Sequence, residues 1–338
     1  MICWLTINRI CNMRCEWCYA KASGFSANAT MTSNTFEHIL SVISTQKISR
    51  FILLGGEPTL HPSLPDMIRR LKPVKVVLVT NALRLSNRDY VRSLKECGLD
   101  VVKISLKGAT DQEYKENTGV AGLGRVERAI ANLNELSIPY SISVTFSGRV
   151  MKALPGIIDL MKRSSATVMS VNYCRPVVLK DSVVVDGMPH PCDMAQETVE
   201  SYKLIRDSGV ACVYNFMLPL CLLPKDFIAE LAEKRLLTTI CQLQKGNGLI
   251  FTPNGNLIPC NHLFEYPFGE LGKDFNTAAE FEEFRDSEKV KRFYLRTRNL
   301  PDTRCQSCNL KTRCGGGCFI QYLHHQPADI MRQPFTEA

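Results

Sequence analysis

Two groups of cysteines in this chain could bind metal, and the first lies near the amino terminus. Cys11, Cys15 and Cys18 form a Cys-x3-Cys-x2-Cys pattern that directly follows a strand-like run at 2–8. Three thiolates can hold a four-iron cluster, but they leave one of its irons without a protein ligand. A structural zinc site would need a fourth protein ligand, and residues 19–37 contain no cysteine or histidine. We therefore expect an open iron whose remaining ligand is not a side chain.

The second group lies near the carboxyl end. It consists of Cys241, Cys260, Cys305, Cys308, Cys314 and Cys318. Clustered cysteines in a reducing compartment indicate metal rather than disulfides, so we expect further metal sites here. A single tetrahedral zinc ion held by the last four cysteines is an alternative.

The elements that must position these ligands alternate along the first half of the chain. Strands are predicted at 2–8, 50–54, 74–80, 100–106, 140–146 and 167–173, and helices at 32–47, 63–72, 86–97, 123–137 and 150–163. This alternation favours an α/β fold, with a partial (β/α)6 TIM-like barrel over residues 1–175. Chemistry in such folds lies at the carboxyl ends of the strands. The cysteine loop follows the first strand, so we expect it on that face.

The rest of the chain is divided by its composition. Residues 176–240 are predicted to form a helical bridging segment, 241–325 a small cysteine-rich α+β domain, and 326–338 a tail. Within the cysteine-rich part, the run 248–260 predicts a β-hairpin with an Asn-Gly turn.

The first half resembles the radical S-adenosylmethionine (SAM) enzymes. The triplet, with an aromatic residue before Cys18, is followed by GGEP at 55–58, TNA at 80–82 and SLKG at 105–108. The resemblance implies an enzyme in which the amine and carboxylate of SAM bind the open iron of a [4Fe-4S] cluster. It also implies that one electron from the cluster cleaves SAM to a 5′-deoxyadenosyl radical, which abstracts a substrate hydrogen atom.

The same resemblance implies a SAM site made of Tyr19, Gly55, Gly56, Glu57 and Ser105. Glu57 would accept a hydrogen bond from the SAM amine, Tyr19 would contact the adenine edge through its backbone, and Ser105 is a candidate for the ribose. Lys107 stands where relatives usually have aspartate, which leaves ribose recognition open. No catalytic acid or base is assigned.

The second cysteine group resembles the SPASM extension of radical SAM enzymes, which carries auxiliary four-iron clusters. Six of the seven cysteines of the family pattern are present, and none follows Cys318. The resemblance implies a first auxiliary cluster on Cys241, Cys260 and Cys318, for which we take Cys221 as the candidate fourth ligand.

A second auxiliary cluster would be held by Cys305, Cys308 and Cys314. Its last cysteine is absent, so this cluster has an open iron or a different ligand. His324, His325 and Asp329 lie in the right part of the sequence.

The resemblance also implies oxidation of a peptide or protein. We predict a maturase that forms a thioether or carbon–carbon crosslink at an unactivated carbon of a ribosomal peptide. The alternatives are formylglycine formation in a sulfatase, dehydrogenation of a small alcohol or sugar, and a non-catalytic metal-binding regulator. Asn261 stands where sulfatase-maturing relatives have aspartate, which weakens the first alternative.

Only ten residues precede Cys11, so we expect the precursor to bind the barrel, the SPASM surface or a separate leader-binding protein.

The sequence predicts a cytoplasmic protein, because it has no export signal. The 338 residues carry 41 Lys and Arg against 33 Asp and Glu, a net charge of +8. Because the basic residues are spread along the chain, we expect them to form a solubilising surface. The alternative is that they bind an anionic cofactor or an acidic peptide. The sequence has no secretory signal and no apolar run of the roughly 18 residues that a membrane span needs. We expect a reducing partner such as flavodoxin or ferredoxin, and neither nucleic acid nor membrane as a partner.

Overall fold

The computed structural model describes residues 1–22, 29–185, 187–215, 218–238, 246–297 and 300–327. Its strands are β1 Ile2–Thr6, β2 Arg50–Leu54, β3 Lys75–Thr80, β4 Val101–Leu106, β5 Tyr140–Phe146, β6 Met169–Tyr173, β7 Val177–Val178, β8 Val183–Val184, β9 Cys212–Asn215, β10 Leu237–Thr238 and β11 Gly248–Phe251. Nine of these form one sheet in the order β10-β9-β6-β5-β4-β3-β2-β1-β11. Every neighbouring pair is parallel, and β7 and β8 form a separate antiparallel pair.

Helices follow most of the strands, as a parallel sheet requires of its crossover connections. They are α1 Tyr19–Ala22, α2 Ser33–Val42, α3 Leu64–Arg70, α4 Arg88–Glu96, α5 Asp111–Thr118, α6 Leu123–Glu135, α7 Gly148–Lys152, α8 Leu154–Arg163, α9 Pro191–Ser208, α10 Lys225–Glu233, α11 Ala278–Asp286, α12 Glu288–Thr297 and α13 Lys311–Cys314. None of the described helices is both long enough and apolar enough to cross a bilayer.

Alternation along the central strands separates a fully buried face from a half-buried one. In β4 the side chains of Val102, Ile104 and Leu106 are buried, whereas Lys103 and Ser105 are half-buried. The buried face belongs to the main hydrophobic core. The half-buried face carries the polar residues described below.

The predicted α/β barrel fold is confirmed, but the sheet is larger than expected. Strands β9 and β10 come from the predicted helical segment 176–240, which is therefore not helical throughout, and β11 comes from the predicted cysteine-rich domain. These strands have four, two and four residues, too few for a clear period of two. At 248–260 the chain does fold back, with Phe251 bridged to Leu257, but the first arm also pairs in parallel with β1.

Candidate active site

The loop at 11–18 connects β1 to the short helix α1. Cys15 is buried, and Cys11 and Cys18 are half-buried. Burial raises the pKa of the Cys11 thiol to about 12 and also raises the pKa of Cys15. Both thiols are therefore protonated until a metal binds, since coordination deprotonates a thiol.

The described residues contain no preformed site for a single metal ion. In the described part of the chain, no three His, Cys, Asp or Glu side chains are grouped so that they could hold one metal ion. The thiolates of an iron–sulfur cluster bind different irons, so they need not converge on one point.

Helix α5 fixes the cysteine loop to the end of β4. The amide of Arg14 donates to the Thr118 carbonyl over 2.8 Å, and the amide of Glu16 donates to the Asn117 carbonyl over 3.3 Å. The side-chain amide of Asn117 donates in turn to the carbonyl of Lys107 over 2.6 Å. One short helix thus holds the loop and the strand end together.

The GGEP turn packs against the chain that leads into the cysteine loop. A Cβ atom on Gly56 would collide with the carbonyls of Arg9 and Ile10, and a Cβ atom on Gly55 would collide with Asn8. Only glycine permits so close an approach of two backbones. These two glycines therefore allow the GGEP turn to pack directly against residues 8–10.

Glu57 is buried, and its carboxylate organises the strand ends around it. Oε1 accepts hydrogen bonds from the Thr59 amide (3.1 Å) and from the hydroxyls of Thr59 and Thr80 (both 2.6 Å). Oε2 accepts one described bond, from the Asn81 amide at 2.8 Å. A carboxylate oxygen has two lone pairs, so Oε2 retains capacity for another donor.

A second acceptor lies next to Glu57. The amide of Asn8 donates to the Glu57 carbonyl over 2.9 Å. Its Oδ1 is buried, and within the described residues it has no hydrogen-bond donor. Buried polar atoms normally have a partner, so this acceptor has capacity for a donor that the described residues do not supply.

The side chain of Tyr19 lies near the glycine turn. Its hydroxyl donates to the Gly55 carbonyl over 3.3 Å. This contact uses the side chain of Tyr19, so the predicted contact of its backbone with adenine stays a prediction.

Ser105 shares one sheet face with a polar set, which we call the lumen set: Lys103, Ser143, Ser170, Asn172 and Asn215. Lys103 Nζ donates to Ser170 Oγ over 3.1 Å. Asn172 donates to Ser143 Oγ (2.9 Å), and Asn215 donates to Asn172 Oδ1 (2.9 Å). Burial lowers the pKa of Lys103, and no carboxylate of the described chain pairs with it.

Arg9 is one of two buried cations that flank the cysteine triplet. All three of its guanidinium nitrogens are buried, with no hydrogen-bond acceptor in the described part of the chain. The guanidinium lies 3.9 Å from the ring centroid of Phe264 and 5.9 Å from that of Tyr19. Burial lowers the pKa of Arg9, while the nearby Tyr19 and Cys18 act to raise it.

Lys107 is the other buried cation. Its Nζ lies 5.6 Å from the Trp17 ring centroid. Its charge acts to lower the pKa of Cys15, although burial raises that pKa more strongly. Unpaired buried charge is costly, so the Arg9 guanidinium fits an anionic group held by the triplet, and Lys107 adds a second positive charge nearby.

The carboxyl-terminal cysteines divide into two sets. Cys260 and Cys318 belong to one small hydrophobic cluster, whereas Cys314 belongs to the main core. Between Cys314 and Cys318 the three glycines have φ values of +59°, +78° and +78°. Backbone with positive φ favours glycine and allows a sharp turn. The turn places Cys314 in the main core and Cys318 in the small cluster. Cys241, predicted to join the Cys260 set, lies outside the described residues.

Cys305, Cys308 and Cys314 form the other set, joined by local hydrogen bonds. The Cys308 amide donates to the Cys305 carbonyl over 3.3 Å. The Leu310 amide donates to Cys308 Sγ over 3.4 Å. The alternative of one zinc ion on these three and Cys318 stays a prediction.

Cys221 lies beside this second set, although the sequence analysis assigned it to the first. Burial, followed by the thiols of Cys314, Cys305 and Cys308, raises its pKa to about 12. A cysteine's partner in space cannot be inferred from its spacing when the intervening chain is long.

The histidines considered for the missing ligand lie near a third histidine. The ring centroids of His324 and His325 are 4.5 Å apart, and those of His325 and His190 are 5.0 Å apart. Asp329, also considered, lies outside the described residues.

A family model identifies the amino-terminal half of the chain. Residues 5–161 match the model of the radical SAM superfamily. These residues form a radical SAM domain. The match confirms the prediction of this domain and of an enzyme.

Two kinds of curated relative resemble this chain, one over its first half and one over almost its whole length. A probable GTP 3′,8-cyclase of Thermococcus kodakarensis is 31% identical over 152 residues, which are 44% of this chain and 48% of that protein. The chain therefore spans about half the length of the GTP cyclases that it resembles. An AdoMet-dependent heme synthase of Methanosarcina barkeri is 23% identical over 349 residues, covering 95% of this chain and 94% of that protein.

Solved structures share the fold over the whole chain. Native anSMEcpe with bound AdoMet has a TM-score of 0.72 at 17% identity, covering 100% of this chain and 94% of that one. Streptococcus suis SuiB bound to precursor peptide SuiA has a TM-score of 0.72 at 15% identity, covering 100% and 76%. At such low identity these likenesses establish the fold alone.

Sequence reasoning missed some residues of this site. Arg9 and Lys103 had no assigned role, because their significance depends on burial without a charged partner. Helix α5 was also missed, although Thr110 and Glu113 have the spacing of a capping box.

Proposed function

We propose that this chain is a radical SAM maturase with auxiliary [4Fe-4S] clusters, which oxidatively crosslinks a ribosomal peptide. Cys11, Cys15 and Cys18 would hold the SAM cluster. Cys241, Cys260 and Cys318 would hold the first auxiliary cluster, and Cys305, Cys308 and Cys314 the second. When bound, the SAM cluster and SAM would supply reductive cleavage of SAM and abstraction of a substrate hydrogen atom.

The observation that carries this proposal is the contact between the residues that flank the cysteine loop and the Cys260 segment. Arg9 stacks on Phe264, four residues after Cys260. The rings of Tyr19 and His262 have centroids 5.6 Å apart. Two groups of iron ligands therefore lie on adjoining segments, which supports transfer of an electron between their clusters after the substrate loses hydrogen.

The chain's own residues would bind and orient the reactants. Glu57 Oε2 and Asn8 Oδ1 would accept hydrogen bonds from the SAM amine. Ser105 would approach the ribose. The lumen set, on the same face of the sheet, would contact the substrate. Hydrophobic packing around the triplet would exclude water from the reactive groups.

Formylglycine formation remains the weaker peptide reaction. The amide of Asn261 accepts a hydrogen bond from the Thr6 hydroxyl at 3.5 Å, and an amide cannot act as the base that an aspartate would provide. The position therefore offers no carboxylate for deprotonating a serine or cysteine.

Modification of a tetrapyrrole is a second candidate function. The similarity to the heme synthase covers 95% of this chain, far more than the similarity to the cyclases. The ammonium group of Lys103 is also without a carboxylate partner in the described chain, and it would attract an acidic substrate. A metalloporphyrin precursor and a peptide are thus the two substrates to compare.

The proposal includes partners and a location. A flavodoxin or ferredoxin would supply the reducing electron, and a separate leader-binding protein could present the precursor. Iron–sulfur clusters and free thiols require a reducing compartment, so we propose the cytoplasm.

The test is co-expression with short peptides encoded beside the gene, followed by mass spectrometry. We expect one peptide to lose a pair of hydrogen atoms for each crosslink. The Cys308→Ala variant should still cleave SAM but form no crosslinked peptide, because it lacks the second auxiliary cluster. Turnover of a tetrapyrrole with no change in any peptide would replace this proposal with the second candidate.

A further inference from the structure

Cys221 lies on a short 3₁₀ turn, Leu220–Leu222, that contacts the second cysteine set. The Leu220 amide donates a hydrogen bond to Cys314 Sγ over 3.2 Å. Consecutive Cα atoms are about 3.8 Å apart, so Cys221 directly follows the residue that contacts a ligand sulfur. Leu220 and Leu222 are buried, and they anchor the turn on both sides of Cys221.

The thiols of Cys314, Cys305 and Cys308 lie close enough to Cys221 to act on its pKa. Tyr322 donates to the Gly316 carbonyl over 2.7 Å, and its pKa is raised by burial and then by Cys314, Cys221, Cys305 and Cys318. Two segments far apart in the sequence thus bring thiols to the same place.

We infer that Cys221 is the fourth protein ligand of the second auxiliary cluster, in place of the cysteine that this chain lacks after Cys318. The inference rests on the proposed function, because it assumes a cluster on Cys305, Cys308 and Cys314. Its consequence is chemical: with four thiolates, this cluster has no open iron for a substrate. It would transfer electrons only, and the bridging segment would be tied to the cysteine-rich domain through iron.

The test is thiol protection in anaerobically reconstituted protein, with iodoacetamide as the probe and peptide mass spectrometry as the readout. In the wild type, Cys221 should remain unalkylated. Cys260→Ser, which removes a ligand of the other cluster, should leave it protected. Cys308→Ser should expose it and raise its alkylation at least tenfold. Cys192, half-buried in α9 and outside both sets, is the control for folding.

Iron analysis separates failure of this inference from failure of the proposed function. Three clusters give about twelve irons per chain, and Cys221→Ala should lose about four of them. Alkylation of Cys221 in a wild type that holds all three clusters would overturn the inference alone. Exposure of Cys221 by Cys260→Ser but not by Cys308→Ser would also overturn it. A wild type with only about four irons would refute the auxiliary clusters, and the inference with them.

Discussion

At the scale of single residues, the site is defined by charges that lack partners within the described protein. Arg9 places a buried guanidinium without a described hydrogen-bond acceptor beside the triplet of thiols, and Lys107 adds a second positive charge. In a protein without clusters the buried guanidinium costs stability, whereas a cluster with thiolate ligands supplies the opposite charge. Their presence is therefore an argument for an anionic cofactor that does not depend on cysteine spacing.

Replacement of Arg9 should have opposite effects with and without clusters. In cluster-free protein, Arg9→Met should raise the free energy of unfolding by about 1–4 kcal/mol, because an uncompensated buried charge is replaced by an apolar side chain. In reconstituted protein it should lower the reduction potential of the adjacent cluster, since a nearby positive charge favours the more negative state. Thermal unfolding and potentiometric titration measure the two effects, and Arg9→Lys, which keeps the charge, is the control. A potential unchanged by Arg9→Met would contradict this role.

His61 should make stability fall at acidic pH. It is buried; its Nε2 donates to the Met31 carbonyl (2.9 Å), and its Nδ1 accepts from the Ser63 amide (3.1 Å). Burial lowers its pKa, so between this lowered value and about 6.5 the unfolded chain binds more protons than the folded chain. The stabilisation is complete above about pH 6.5 and is lost as the pH falls towards the lowered value.

The measurement is the free energy of unfolding between pH 7 and pH 5, compared with His61→Gln. Glutamine offers one donor and one acceptor without titrating, so this variant should show a smaller loss on acidification. His38→Gln, at a half-buried histidine of α2, is the control for loss of a histidine elsewhere in the chain. Equal slopes for His61→Gln and the wild type would show that another group causes the acid sensitivity.

At the scale of elements, α5 illustrates how a short helix can position a metal loop. Its capping box is complete: Thr110 accepts from the Glu113 amide, and Glu113 accepts from the Thr110 amide, both over 3.1 Å. Its carboxyl end accepts the hydrogen bonds of the cysteine loop. Loss of order in α5 should therefore release the SAM cluster before it affects the barrel.

Thr110→Ala should cost about 1 kcal/mol of stability through loss of the cap, and it should also speed loss of iron from the SAM cluster. Thr277→Ala removes the equivalent cap of α11, whose hydrogen bond to Glu280 measures 3.2 Å. That control should lose similar stability without faster iron loss, because the described hydrogen bonds of α11 do not reach residues 11–18. Chelator-driven iron release, followed by absorbance, distinguishes the two variants. Equal release rates would contradict the role of α5.

The sequence predicted the elements that show a clear period and missed those that are short. The six central strands lie within two residues of their predicted bounds, because each combines β-branched residues with a flanking helix. Strands β9, β10 and β11 complete the edges of a sheet that already exists, and such pairing depends on tertiary contacts rather than local pattern. The same reason explains Cys221: its neighbours come from a segment more than eighty residues away.

At the scale of the whole molecule, the amino-terminal strand β1 pairs with a strand from the cysteine-rich part of the chain. Strand β11 pairs with β1 in the register Ile2 with Gly248, and His38 Nε2 donates to the Asn276 carbonyl at 3.0 Å. The carboxyl-terminal cysteines are thereby carried back towards the face that holds the first triplet. An arrangement with clusters on both sides of a substrate would allow an oxidation to proceed without an external electron acceptor.

The central claim is that three cysteines leave one iron open for SAM. The most direct measurement is the EPR spectrum of the reduced, anaerobically reconstituted protein with and without SAM, in a Cys260→Ala/Cys308→Ala background that simplifies the auxiliary signals. The account predicts that SAM changes the spectrum and that 5′-deoxyadenosine forms, and that a further Cys15→Ala substitution abolishes both. A spectrum indifferent to SAM, with all four irons of that cluster bound by side chains, would contradict it.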